Sequence, residues 1–420
     1  MAEEGKQQLQ TNVNFAGDVN AVNVTIVTTR GVTATINSSI KMSVSLYESI
    51  FSPFITGTIT IYDAVDLQQI LPLVGEELVQ LQIIQNDQIY ERTFMISKMR
   101  DREVIGSRNQ AYVLEIISTE AIINENIKLS RAFKGPIDNI VDELINSVNC
   151  LNAPASKKTA FIEQSTNSTM FVANYWNPVK CIQYICEQAR NLNDSPSFLF
   201  FENKSGFYFW SLDNIADPQV PVSWTFRRDA YSNQPADKEN IENKYSRIID
   251  ISITDFDIIK RMKTGMYGST IIYYDLSTGQ YVEKATTAVY TPKLNQNPGW
   301  SSKAPYSNLA TLIVDHQHYN NFDGYGSETA NTKVRQERLA TLARYESQKL
   351  AITVFGRLQI EAGQKIFLDI PSFSVTAEST QNKYMSGNFI ISDCHHSFGK
   401  DGYFCNMNVI KDSYIASLEE

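Results

Sequence analysis

The sequence predicts an α+β fold, mostly β, in which two similar antiparallel, barrel-like β-domains are separated by an α/β insertion. Three observations lead there. The chain nearly repeats itself: residues 92–118 read RTFMISKMRDREVIGSRNQAYVLEIIS, and residues 387–413 read GNFIISDCHHSFGKDGYFCNMNVIKDS. Each stretch has an aromatic residue, two apolar positions and a serine (Phe94 to Ser97, Phe389 to Ser392), a Gly-containing polar turn, and a return run opened by tyrosine (Tyr112, Tyr403). Composition is that of a strand-rich chain, with 21 Tyr and 21 Phe against 19 Gly and many β-branched residues in short alternating runs. Between the two copies, from residue 135, the hydrophobic period changes from strand-like to helical.

The elements follow in order. VNVTIVTT (22–29) reads as a strand, and IKMSVSLYESI and FITGTITIYD alternate as strands do. In LVQLQII (78–84), Leu81 and Ile83 share one face and Gln80 and Gln82 the other. In the first hairpin, Phe94 and Ile96, then Tyr112, Leu114 and Ile116, define the inward face. GPIDNIVDELINSVN places Ile137, Ile140, Val141, Leu144, Ile145 and Val148 on one helical stripe starting at Pro136. A second helix is expected with Asn177 as N-cap and Pro178 at its first position, burying Val179, Ile182, Ile185, Cys186 and Ala189. SFLFFENKSGFYFWSLD then reads strand, turn at Lys204 to Gly206, strand. IIDISITDFDII (248–259) resumes strand character, a helix is expected over Asn331 to Leu350, and AITVFGRLQIEAGQKIFLDI leads into the second hairpin. The duplication extends beyond the hairpins: Gly75, Glu76 and Glu77 precede LVQLQII as Gly363, Gln364 and Lys365 precede IFLDI.

Composition narrows the function. At 420 residues the chain exceeds what one hydrophobic core organises, so several domains are expected. No apolar run approaches the roughly 20 residues of a membrane helix, and the N-terminus lacks the pattern of a signal peptide. Five irregularly spaced cysteines (Cys150, Cys181, Cys186, Cys394, Cys405) read as reduced thiols. A net charge of -9 without long charge blocks argues against wrapping nucleic acid. A chain with two similar domains presents six when three chains close around an axis, so a trimer can match a sixfold ring. Such a ring would also satisfy open sheet edges by pairing strands between neighbours.

RLATLARYESQKLAITVFGRLQIEAGQKIFLDI followed by NFIISDCHHSFGKDGYFCNMNVIKD resembles the central baseplate hub proteins of contractile-tail bacteriophages of the T-even type, a family related to the hub part of type VI secretion spike proteins. The features carrying the resemblance are a helix (Ala340 to Leu350), a strand (Ala351 to Arg357), the turn and strand start Gly363 to Ile366, and a hairpin with a histidine (His395 or His396) in its first strand. GTITIYDAVDLQQILPLVGEELVQLQI resembles the family's first tube-like domain. The resemblance implies a homotrimeric structural hub in the virion's tail baseplate, assembled in the host cytoplasm. Its partners would be a hexameric tail tube, a separate trimeric spike, tape-measure protein and baseplate wedge proteins, with DNA passing through without specific binding. It further implies a first tube-like domain at residues 1–130, an α/β domain at 131–244 with 271–334, a second tube-like domain at 245–270 with 335–415, and a tail at 416–420.

Enzymatic readings find little support. There is no GxSxG elbow, and KSGF around Ser205 reads as a hairpin turn. Neither phosphate-binding glycine motif occurs. Phe207, Tyr208, Phe209 and Trp210 alternate across a strand, which suits core packing better than base stacking. The four histidines fall in two pairs, DHQHY (His316, His318) and DCHHSF (His395, His396, beside Cys394), and a zinc site requires the two segments to meet. The competing reading packs one hairpin histidine, exposes the other and leaves His316 and His318 in a loop. The sequence assigns no catalytic, cofactor-binding or metal-binding residue and no cofactor. The alternative to a hub is a tail-associated or secretion-associated enzyme, such as a peptidoglycan hydrolase, or a carbohydrate-binding module.

Overall fold

The computed structural model describes residues 16–36, 42–64, 67, 71, 73–105, 109–228, 244–254, 257–275, 280–287, 291–299, 311–315, 328–372 and 381–417. The first copy contains β1 (Ala21–Val27), β2 (Thr33–Ile36), β3 (Met42–Ser49), β4 (Thr56–Asp63), β5 (Leu78–Gln85), β6 (Gln88–Ile105) and β7 (Asn109–Ser118). Along β5, Val79, Leu81 and Ile83 are buried, and β6 and β7 bury Phe94, Ile96, Tyr112, Leu114 and Ile116, the faces their alternation assigns.

The insertion follows as β8 (Leu129–Pro136), a helix Ile137–Asn146, β9 (Thr159–Ile162), β10 (Ser168–Trp176), a helix Pro178–Cys186, β11 (Phe198–Asn203) and β12 (Gly206–Ser211). Asn177 caps the second helix, its side-chain oxygen accepting from Lys180 N at 3.0 Å, and Pro178 opens it. The first helix stops at Asn146, two residues before the expected end of its stripe, so Val148 is 77% exposed instead of buried. Phe207 and Phe209 pack against the helices while Tyr208 and Trp210 face a second cluster around Phe201 and Tyr345, so the aromatic run is core. β12 lies parallel to β9, and only glycine fits at Gly206: φ is +156° and a Cβ would sit 2.1 Å from Thr159 O.

The remaining strands are β13 (Trp224–Arg227), β14 (Ile248–Thr254), β15 (Gly268–Asp275), β16 (Gln280–Thr287), β17 (Asn297–Pro298), β18 (Thr311–Asp315), β19 (Gln348–Phe355), β20 (Lys365–Asp369), β21 (Gly387–Gly399), β22 (Gly402–Lys411) and β23 (Ser413–Tyr414). β15, β16 and β18 form a separate small sheet, and β17 pairs with β23. Two expected boundaries move. The strand expected over 248–259 ends at Thr254, and a helix capped by Asp257 begins at Ile258. The helix expected to reach Leu350 ends at Tyr345, because Leu350 lies in β19, paired on both sides by β14 and β22.

The duplication is visible in the strand order of a thirteen-stranded sheet. The first copy runs β3, β4, β7, β6, β5, β1; the second runs β14, β19, β22, β21, β20, β13. Only the last pair differs in sense, since β1 is antiparallel to β5 and β13 parallel to β20. The hairpins match to the residue. β6 bulges between Ile96 and Lys98 and β21 between Ile391 and Asp393, so Ser97 and Ser392 are the extra residues. Each serine hydroxyl donates across its hairpin, Ser97 to Glu115 O at 3.1 Å and Ser392 to Asn408 O at 3.0 Å. Aligned on these bulges, Tyr112 corresponds to Cys405 and Tyr403 to Gln110, so the two tyrosines that open the return runs are not equivalent. One hydrophobic cluster runs through both copies, from Val24 and Ile26 to Met407 and Val409.

Candidate assembly interface and the seam between the copies

The two copies join through one strand. The first half of β21 pairs with β20, and its second half, Asp393 to Phe398, pairs antiparallel with β3 from Ser49 to Val44. The switch of partner falls at the Ser392 bulge, which re-aims the strand. Ser49 Oγ donates to Asp393 Oδ1 at 2.6 Å at the start of this seam.

β6 is built the same way and left unfinished. Its first half pairs with β5, and beyond the Ser97 bulge its second half pairs with β7 alone among the described residues. Among the described residues β14, the counterpart of β3, pairs with β19 alone. Following the ladders outward from the bulges places Ser252 where Ser45 stands, Ile251 where Val44 stands and Ile253 where Leu46 stands. On the other edge Val104 corresponds to Phe398, after a second bulge at Asp101, whose φ is +54°. Val104 is 76% exposed and Ile253 47%, whereas Leu46 and Phe398, paired at the seam, are buried. Two such apolar-tipped edges are templates for pairing with a further strand.

The seam also assembles a buried polar cluster. Cys394 lies opposite Glu48 across β21 and β3, and His396 lies opposite Cys405 across β21 and β22, all on one face. Cys394 Sγ stands 3.2 Å from His396 Nε2, and Cys405 Sγ 3.2 Å from His396 Nδ1. Glu48 Oε2 accepts from Ala362 N at 3.0 Å, while Oε1, 3.5 Å from His396 Nε2, has no hydrogen-bond partner. Burial pushes the Glu48 carboxyl up, but the Lys204 ammonium and His396 outweigh it and hold the carboxylate below its usual range. Burial and Lys204 press His396 toward neutrality, yet Cys405 and Glu48 leave its pKa raised. Lys204 is fixed by donating to Leu358 O and Ile360 O.

The histidine pair of the hairpin divides as strand alternation requires. His396 is buried, and His395 points to the opposite face, stacked on Tyr47 with ring centroids 4.4 Å apart. His316 and His318 lie outside the described residues. The donors that do meet His396 come from Cys394, Cys405 and Glu48. Glu48 escaped the sequence reading because its approach depends on strand register between segments more than 300 residues apart, and Cys405 because its place opposite His396 depends on the register of the hairpin. All five cysteines are free and buried. Ser205 sits in its hairpin turn and donates to Glu361 at 2.8 Å. Among the described residues, no helix is long and apolar enough to cross a membrane.

The fold recurs in known proteins. No protein-family model matches the chain. A probable baseplate hub protein of Vibrio phage KVP40 is 17% identical over 392 residues, covering 88% of this chain and 89% of that protein. The tail protein of Neisseria meningitidis MC58 superposes with a TM-score of 0.55 at 11% identity, covering 93% of this chain and 97% of that one. The 43 kDa tail protein of prophage MuSo2 from Shewanella oneidensis gives a TM-score of 0.56 at 8% identity, covering 94% and 99%. The chain therefore has the mostly β fold of these tail proteins and is similar in sequence to a baseplate hub protein.

Proposed function

We propose that this chain is the structural hub of a contractile-tail baseplate, a homotrimer that matches a sixfold tail tube to a threefold central spike. The observation that carries the reading is the internal seam beside its unfinished twin. β3 covers the outer half of β21 within one chain, and the equivalent pair, β14 and the outer half of β6, is left open among the described residues. A second chain that repeats the seam sets its β14 antiparallel to β6, with Ile251 opposite Val104 and Ser252 opposite Glu103. Three chains joined this way alternate the two copies around a ring of six. The division into tube-like domains at 1–130 and 245–270 with 335–415, an α/β domain at 131–244 with 271–334, and a tail at 416–420 belongs to the same reading, except that β13 (Trp224–Arg227), which pairs with β20, goes with the second tube-like domain.

Such a ring is a passive conduit. Each chain carries -9, and a negatively charged wall does not grip the phosphates of DNA sliding past it. Tape-measure and wedge proteins are the further partners, and the virion baseplate, assembled in the host cytoplasm, is the location. The similar proteins are named for structural parts of tails, which favours the hub over a hydrolase or carbohydrate-binding module.

Val104→Cys combined with Ile251→Cys tests the ring. The native cysteines are all buried, so oxidation should link only the new pair. Covalent species ending at three chains are expected on a denaturing gel. A single-chain mass by light scattering, with and without a trimeric spike, would sink the reading.

A further inference from the structure

We propose that Cys394, Cys405, His396 and Glu48 form a structural zinc site that clamps the two copies together at their seam. The four side chains come from three adjacent strands: Glu48 from β3, Cys394 and His396 from β21, and Cys405 from β22. The two thiols and the imidazole already lie with their ligand atoms within 4.8 Å of one another. Around tetrahedral zinc, with bonds of about 2.0–2.3 Å, ligand atoms stand roughly 3.3–3.8 Å apart, so small side-chain shifts complete the shell. Glu48 adds the fourth donor through Oε1, a fully buried oxygen without a hydrogen-bond partner that faces His396 Nε2 at 3.5 Å.

Second contacts orient this set. Tyr403 OH donates to Arg357 O at 3.0 Å, so toward His396 Nδ1, 2.8 Å away, it acts as acceptor. Nδ1 then carries the proton and Nε2 turns its lone pair toward Cys394 and Glu48, the tautomer a ligating histidine needs, and Cys405, whose Sγ stands 3.2 Å from Nδ1, completes the shell by turning toward the Nε2 side. Glu48 is held in place by Ala362 N through its other oxygen. Thiolate and imidazole donors select zinc over magnesium or calcium, and four protein ligands with no open position make a structural site and not a catalytic one.

Charge balances on binding. A divalent ion entering the cluster displaces two protons to solvent, whether they come from both thiols or from one thiol and the imidazole. The buried charge is unchanged, which removes the main obstacle to placing an ion here. The site does not depend on the trimer. The counterparts of Cys394 and Cys405 in the first copy are Met99 and Tyr112, so the cluster is no part of the duplicated scaffold.

The test uses the full chain, purified in reductant, treated with chelator and titrated with Co(II), then with Zn(II). One equivalent of Co(II) per chain with thiolate-to-cobalt charge-transfer absorption, displaced by Zn(II), is the expected result, with a rise in the thermal midpoint. Cys405→Ser should abolish the charge-transfer band or weaken binding at least tenfold, while Cys181→Ser, a buried thiol elsewhere, leaves both unchanged. The proposal is overturned if the folded wild type gives no charge-transfer band, if Cys394 and Cys405 are found joined as a disulfide under reductant, or if Cys181→Ser loses the band as completely as Cys405→Ser. Because the wild-type titration stands alone, a variant that fails to fold does not decide the matter.

Discussion

Lys158 and Glu202 meet at 2.6 Å with almost no solvent access to either side chain, and Glu120, equally buried, contacts the same ammonium. One cation thus serves two carboxylates at the base of the α/β insertion. Glu202 Oε2 also accepts from Ile55 N at 3.0 Å, which ties the insertion to the first copy.

Removing that cation should be far worse than removing one carboxylate. Lys158→Met leaves two buried charges uncompensated and should cost about 3–5 kcal/mol, whereas Glu202→Gln keeps the Lys158 pair with Glu120 and should cost clearly less. Burial raises the Glu202 pKa despite Lys158. A raised folded-state value means stability that is present below the unfolded pKa and lost as pH rises through the folded one. The Lys158→Met deficit should therefore shrink at about pH 4 relative to about pH 7, as read from urea midpoints. A deficit that grew on acidification would contradict this account.

The bulge serines should behave as a matched pair. Each alanine variant loses one hydrogen bond across its hairpin, a cost of about 0.5–1.5 kcal/mol. Ser392 is buried and Ser97 exposed, so Ser392→Ala should sit at or above the top of that range and Ser97→Ala at the bottom. Denaturant titration of the two variants decides the order.

Gly206→Ala should disrupt the parallel pairing of β12 with β9, because the new methyl meets Thr159 O. A loss of about 2–4 kcal/mol is expected, with a lowered thermal midpoint. An unchanged midpoint would show that β9 is not held against β12 as described.

Val104→Asp separates folding from assembly. The side chain is exposed in the single chain, so stability should change by no more than about 0.5 kcal/mol. At the proposed contact the carboxylate would face Ile251, and the trimer population in sedimentation velocity should fall. Intact trimers would place the interface elsewhere.

Much of this was readable beforehand because it is local. Period-two alternation marked the buried faces of β5, β6 and β7, and Asn177 with Pro178 marked a helix start, since side-chain direction and capping depend on near neighbours. Element ends were less legible. Leu350 suits a helical stripe as well as a strand, and the pairing of β19 with β14 and β22 decides for the strand.

The sequence by itself determined that the chain is strand-rich, that a hairpin recurs with serine at the same place, and that helices interrupt the two copies. Local periodicity and repetition are written along the chain. Only the tertiary structure decided that the repeated serines are bulges, that β3 completes β21 while β6 stays open, and that Glu48 faces Cys394. Those facts depend on strand register, within the hairpins for the bulges and between strands distant in sequence for the rest, where a one-residue slip sends every side chain to the opposite face.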